Sequence, residues 1–158
     1  MLIKRSSLGK KVVLALSCFV ILCNSISFGQ NKHTFSAFKN EKNTLSKAKI
    51  ALELSEEYVL YNIDSLKILA EELKKSNNKN AFTRAISCRI LGIYEVRKGY
   101  FNSGIVLLKA AKNYSLSMQD LELLTSDVNE LGNAYFLNGD LKTAEFYYKT
   151  SLTIGEDS

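Results

Sequence analysis

Histidine and cysteine are scarce in this chain, and the scarcity excludes several kinds of chemistry. The 158 residues include three cysteines and one histidine, His33, but neither proline nor tryptophan. Cys18 and Cys23 fall in an N-terminal segment that we expect to be removed, so the mature chain keeps Cys88 alone and can form no internal disulfide. One histidine and one cysteine are too few for a zinc site or a cysteine–histidine nucleophile pair. We therefore expect no metal ion and no cofactor.

Catalytic motifs are also absent. The sequence has no glycine-rich phosphate loop and no nucleophile paired with a base. Its acidic pairs, Glu56-Glu57 and Glu71-Glu72, fall in predicted helices that also need a solvent-facing side, and we interpret them as solvated residues. We expect that the chain is not an enzyme.

A long apolar run is lacking as well. Four positive charges precede the apolar run Val12 to Cys23, and the small residues Ser27 and Gly29 follow it. This run is well short of the roughly 20 residues that a membrane-spanning helix needs. We interpret residues 1–29 as a secretory signal peptide that is cleaved before Gln30, which predicts export to the periplasm or out of a bacterial cell. The alternative is an uncleaved segment that anchors the chain in the membrane.

The mature chain has little excess of either charge sign. The whole sequence has 21 Lys and Arg and 16 Asp and Glu, a net charge of +5. The signal peptide contains four of the basic residues, Lys4, Arg5, Lys10 and Lys11. The mature chain therefore has 21 − 4 = 17 basic and 16 acidic residues. A nucleic-acid-binding domain normally keeps a basic face. We expect no nucleic-acid partner and no membrane contact after cleavage. Residues 30–42 are interpreted as a flexible polar lead-in.

Apolar residues recur at helical spacing from residue 43 to residue 154, and residues 155–158 are interpreted as a C-terminal tail. Three helix pairs are predicted. A polar run at residues 74–80 separates the first pair from the second, and Gln119-Asp120 opens the third. Within the pairs, breaks are predicted before Ile63, at Lys98-Gly99 and at Asn138-Gly139-Asp140.

A pattern of small and apolar residues repeats along this region. Leu91-Gly92 and Gly104 are in step with Leu131-Gly132 and Ala144, at an offset of 132 − 92 = 40 residues. A fixed period of this length is typical of helical solenoids, whose units bury their apolar faces by stacking. A glycine inside a helix costs about 1 kcal/mol relative to alanine. Gly92 and Gly132 therefore predict a close approach of the paired helix.

On these residues the chain resembles the tetratricopeptide repeat (TPR) family. The family's Leu-Gly pair, first-helix tyrosine, second-helix alanine and following aromatic are matched by Leu131, Gly132, Tyr135, Ala144 and Tyr148. The resemblance implies an all-α, right-handed α-solenoid of about three antiparallel helix pairs.

The match has clear departures from the family pattern. Val128 stands at the family's tryptophan position and the closing proline is missing, while the upstream copy has Cys88, Glu95 and Gly104 at the Trp, Tyr and Ala positions. The period also exceeds the family's ~34 residues. It is similar in this respect to extended variants in exported bacterial sensor proteins.

The resemblance implies binding of a protein or peptide, because the first helix of each TPR pair lines a concave groove. The family's contact positions carried over from the two Leu-Gly pairs are Asn129, Asn133, Phe136 and Leu137, and Arg89, Ile93, Val96 and Arg97. The amides of Asn129 and Asn133 would pair with a peptide backbone, and Arg89 with a carboxylate. The alternative is that they are ordinary solvent-facing residues. We expect a non-catalytic, exported interaction module.

The last predicted helix has a packing face, Leu141, Ala144, Tyr148 and Leu152, and further apolar residues such as Phe146. Solenoids normally end in a polar capping helix, and none is predicted after it. We expect a further C-terminal repeat or region, or a partner in a homodimer, to cover this surface. The alternative function is therefore the N-terminal sensing part of a larger signal-transduction protein, such as a histidine kinase or a helix-turn-helix regulator.

Overall fold

The computed structural model describes residues 34–76 and 79–156, and this part of the chain is helical with no strand. Its seven α-helices are α1 (Phe35–Asn40), α2 (Thr44–Tyr61), α3 (Ile63–Lys75), α4 (Ala81–Arg97), α5 (Phe101–Met118), α6 (Leu121–Leu137) and α7 (Leu141–Glu156). The predicted all-α class is confirmed. The predicted signal peptide, residues 1–29, and His33 lie outside the described residues.

Helix ends coincide with polar caps and glycines that the sequence marks. Asn43 Oδ1 accepts a hydrogen bond from Ser46 N (3.0 Å), Asn80 Oδ1 from Thr83 N (3.2 Å) and Asp120 Oδ1 from Leu123 N (3.0 Å). Such caps satisfy backbone N–H groups that have no partner within the helix. Gly99 and Gly139, with φ of 87° and 84°, make the turns after α4 and α6, where a side chain would be strained.

Consecutive helices pack against each other along the whole described chain, so α2/α3, α4/α5 and α6/α7 form three successive pairs. Contacts between pairs are asymmetric. The first helices of successive pairs touch, α2 with α4 and α4 with α6. Within the described residues, no Cα atom of α3, α5 or α7 lies within 8 Å of a Cα atom of another of these three helices.

Helix α1 is a feature that the sequence analysis did not predict. It lies inside the segment interpreted as a polar lead-in, and its Phe38 is fully buried. Phe35 and Phe38 are three residues apart, so both project from one side of a helix, and Lys47 of α2 lies 4.9 Å from the Phe38 ring centroid. At the other end of the chain, α7 continues to Glu156, into the predicted tail.

Close helix contacts occur at the helical glycines. A Cβ on Gly104 would lie 2.9 Å from Gly92 O and 2.5 Å from Val96 Cγ2, and a Cβ on Gly92 would lie 3.1 Å from Gly104 O. The backbones of α4 and α5 therefore approach through two facing glycines. At Gly132 the neighbour is a side chain instead, because a Cβ there would lie 2.6 Å from two ring carbons of Tyr148.

The other residues predicted to pack the repeats are buried or half-buried. Leu131 and Ala144 are buried and Leu91 is half-buried. Tyr135 is half-buried and stacks on Tyr147 of α7, with ring centroids 5.4 Å apart. On α7, Leu141, Phe146 and Leu152 remain exposed.

Candidate functional site

The three first helices share an open groove of about 290 Å³. We call it the first-helix groove. Its lining comes from α2, α4 and α6, and consists of Leu52, Ser55, Glu56, Val59, Arg89, Ile93, Ser126, Asn129 and Glu130. On each helix these residues recur at steps of three or four, so they occupy one side of that helix. The groove exists because α2, α4 and α6 lie next to one another.

The lining combines apolar and acidic side chains. Leu52, Val59 and Ile93 are half-buried hydrophobic side chains. Glu56 of α2 is exposed and Glu130 of α6 is half-buried, so carboxylates come from both outer helices. Arg89 is the one basic residue of this lining, and a buried acid behind it balances its charge.

That acid is Asp127, the centre of a buried polar network. Arg89 Nε donates to Asp127 Oδ1 (2.6 Å) and Arg89 Nη2 donates to the carbonyl oxygen of Leu123 (2.6 Å). Ser115 Oγ donates to Asp127 Oδ2 (2.5 Å). Arg89 is 6% exposed and Asp127 0%. The network joins α4, α5 and α6, and it fixes the position of α6 relative to α4 along one wall of the groove.

Burial dominates the electrostatics of this network. Desolvation raises the pKa of Asp127 above its ordinary value, although Arg89 and the Ser115 hydroxyl act in the opposite direction. A carboxylate removed from water loses hydration that one ion pair does not fully replace. No buried side-chain nitrogen or oxygen of the described residues lacks a hydrogen-bond partner. The network is therefore a fully satisfied internal link.

The structure separates the four residues predicted to contact a peptide. Asn129 is exposed and lines the first-helix groove. Arg89 also borders the groove, but its guanidinium faces Asp127 and Leu123. Phe136 is exposed near the end of α6, outside the groove lining. Asn133 is half-buried and is bonded within the molecule.

Asn133 connects the two helices of the third pair. Its Nδ2 donates to Glu130 Oε2 (3.2 Å), and its Oδ1 accepts from the Tyr148 hydroxyl (2.9 Å). Burial, aided by Glu130, raises the pKa of Tyr148, which keeps this hydroxyl protonated as the donor. Asn133 thus orients Glu130 and holds the ring that packs on Gly132.

Of the remaining family contact positions, some line the groove and others lie elsewhere. Ile93 lines the groove, whereas Val96 is buried between α4 and α5 against Gly104. Arg97 and Leu137 are exposed in the last turns of α4 and α6.

Sequence reasoning missed the partner of Arg89. A signal was present, because Arg89 and Asp127 each interrupt an apolar stripe, between Ile86 and Ile90 on one helix and between Leu124 and Leu131 on the other. Opposite charges on two buried stripes indicate an internal ion pair. The acidic lining residues, Glu56 and Glu130, had no such signal, since each reads as a solvent-facing residue.

The described residues hold no group of three or more His, Cys, Asp or Glu side chains placed to bind a metal ion. No helix among them combines the length and apolar character of a membrane-spanning segment. Cys88 is a free, half-buried thiol.

Comparison with models of protein families, with curated proteins and with solved structures found no match to this chain. The described part of the chain consists of seven packed helices, three of which share a groove.

Proposed function

We propose that the chain is a right-handed solenoid of TPR-like helix pairs that binds a peptide segment of a partner protein in the first-helix groove. It acts without chemistry of its own, after export directed by residues 1–29. The peptide is one with both basic and apolar side chains. The observation that carries the proposal is an acidic groove extending over three successive first helices.

The asymmetric contacts between pairs support the solenoid. The first helices touch their neighbours, and the second helices are spaced apart. A stack whose units touch on one side and separate on the other curves toward the touching side. The first helices would then line the concave surface, which is where the TPR resemblance expects a ligand.

The chemistry of the lining supports the ligand class. Glu56 of α2 and Glu130 of α6 would attract Lys or Arg side chains, and such pairs gain geometric specificity when the cation is a guanidinium. Leu52, Val59 and Ile93 add apolar surface to the same lining. The exposed amide of Asn129 supplies a donor and an acceptor for a peptide backbone.

The test is binding of a labelled synthetic peptide, measured by fluorescence anisotropy with the full chain. The probe alternates Lys and Leu, and matched peptides replace Lys by Glu or Leu by Ser. We expect the Lys-Leu peptide to bind tightest, with an affinity that falls as salt is raised. The double variant Glu56→Gln/Glu130→Gln should lower the affinity for the Lys-Leu peptide by about tenfold, because it loses two ion pairs of up to about 1 kcal/mol each.

Glu71→Gln is the matched control, because Glu71 is an exposed acid on α3, away from the groove, where it pairs with Lys67 (3.9 Å). It should leave the affinity unchanged. Equal affinity of the Lys and Glu peptides, or equal effects of the groove and control variants, would contradict the proposal.

A second candidate, the sensing part of a larger transducer, is favoured by the open surface of α7. Leu141, Phe146 and Leu152 are all exposed there. An additional helix over α7 would bury them, at roughly 1.5 to 3 kcal/mol for each fully buried side chain. The reading frame beyond Ser158 tests this candidate, since a membrane helix or an output domain encoded there would support it and an immediate stop would not.

A further inference from the structure

A second groove lies on the other side of α4. It is formed between the second helices α3 and α5, and we call it the second-helix groove. Its volume is about 390 Å³. With 3.6 residues per turn, residues 84, 88 and 91 of α4 project on the side roughly opposite to residues 89 and 93, which border the first-helix groove. The two grooves are therefore separate sites.

The second-helix groove has an apolar floor and walls. Cys88 and Leu91 of α4 form its floor, Leu73 of α3 one wall, and Leu107 and Tyr114 of α5 the other. Because no Cα atoms of α3 and α5 approach within 8 Å in the described residues, the backbones of the two walls leave space between them. Ser87 Oγ donates to Ala70 O (3.1 Å) and fixes the floor to one wall.

The charge of this groove is opposite to that of the first. Lys74 and Arg84 are its charged lining residues, and no lining residue is acidic. The two cations lie at the same end, because Lys74 is in the last turn of α3 and Arg84 is in the first turns of the antiparallel α4. Burial raises the pKa of the Cys88 thiol, and the negative charge of Asp127 adds to that rise, while Lys74 and Arg84 act in the opposite direction.

The lining of the second-helix groove changes in character from one end to the other. Tyr114 lies toward the end of α5 that is next to the start of α4, so one end of the groove is basic and aromatic. Leu91 and Leu107 make the opposite end apolar. Along α4, the lining from residue 83 to residue 91 covers about 12 Å at 1.5 Å per residue, the length of about two helical turns.

We propose that the second-helix groove binds an acidic amphipathic helix of a partner protein. Apolar side chains of that helix pack between Leu91 and Leu107, and its carboxylates meet Lys74 and Arg84. Charge complementarity selects this partner, because the lining carries two cations and no acid beside an apolar floor. The proposal stands independently of the peptide site in the first-helix groove.

The experiment uses the full chain and a labelled synthetic peptide with Leu at every third or fourth position and Glu between, measured by fluorescence anisotropy. We expect saturable binding that Lys74→Glu/Arg84→Glu weakens by about tenfold or more, since two attractions become repulsions. A matched peptide with Lys for Glu should bind that double variant better than it binds the wild type. Lys74→Gln/Arg84→Gln, which adds no like charge, should give a smaller loss in the same direction.

Controls separate this site from the other groove and from lipid binding. Glu56→Gln/Glu130→Gln should leave the Leu-Glu peptide unaffected, and circular dichroism should show unchanged helicity for all variants. No saturable binding at millimolar peptide, or equal binding by the wild type and Lys74→Glu/Arg84→Glu, would overturn the proposal. Displacement of the peptide by anionic phospholipid vesicles, with tighter binding to the vesicles, would also overturn it.

Discussion

Gly104→Ala tests the close approach of α4 and α5 most sharply. Replacing a helical glycine by alanine normally stabilises a helix by about 1 kcal/mol. Here the new Cβ would lie 2.5 Å from Val96 Cγ2, 2.9 Å from Gly92 O and 3.0 Å from Val96 N. Two of these three neighbours are backbone atoms, which cannot rotate out of the way. The methyl group can be accommodated only if the two helices move apart.

The expected result is a net loss of stability. Overpacking of this kind costs typically 1–3 kcal/mol, which exceeds the intrinsic gain at all but the lower end of that range. We expect Gly104→Ala to lose up to about 2 kcal/mol, and its melting temperature to fall by about 4 °C per kcal/mol. Thermal and urea unfolding of the full chain, followed by far-UV circular dichroism, measure both quantities.

Gly155→Ala is the matched control. Gly155 is also helical, in α7, but a Cβ there would meet only Thr125 Cγ2 at 3.6 Å, an ordinary contact. This variant should be neutral or stabilised by up to about 1 kcal/mol. If Gly104→Ala proved as stable as Gly155→Ala, the inference that α4 and α5 are held together by facing glycines would be refuted.

Four further outcomes follow from the structure. Gly132→Leu should lower the melting temperature despite its gain in helix propensity, because the new side chain meets the ring of Tyr148. In urea unfolding, Arg89→Met and Asp127→Leu should each cost about 3–5 kcal/mol by leaving one buried charge unpaired, and the double variant should cost less than their sum. Because burial raises the folded-state pKa of Asp127, the stability that its protonation contributes is fully present below the unfolded pKa of about 3.9 and is lost as pH rises through the folded pKa. The wild type should therefore be more stable relative to Asp127→Asn at pH 4 than at pH 7, as measured by the difference between their free energies of unfolding. Asp120→Ala should cost about 1 kcal/mol in urea unfolding through loss of the α6 cap.

The sequence predicted the six longer helices because their apolar stripes and caps are local signals. The stripe from Leu121 to Tyr135 corresponds to α6, and Asn80 and Gly139 mark ends that the structure also has. Helix α1 was missed for the opposite reason. Its apolar face consists of two phenylalanines among lysines, and only their packing against α2 makes six residues helical.

The site was less predictable because it depends on which helices become neighbours. The 40-residue offset indicated which positions of α4 and α6 are equivalent, and Ile93 and Asn129 do line the groove. No repeat pattern covered α2, so its share of the lining, including Glu56, could not be derived. Arg89 was assigned to a ligand because nothing local shows that Asp127, 38 residues away, occupies its guanidinium.

We propose that α2, α4 and α6 act together as one acidic binding surface. Nuclear magnetic resonance titration of the isotopically labelled full chain with the Lys-Leu peptide tests it directly. We expect chemical shifts to change together at residues 52–59, 89–93 and 126–130, with little change on α3 or α5. Shifts confined to one of the three helices, or changes centred on the second-helix groove, would contradict it.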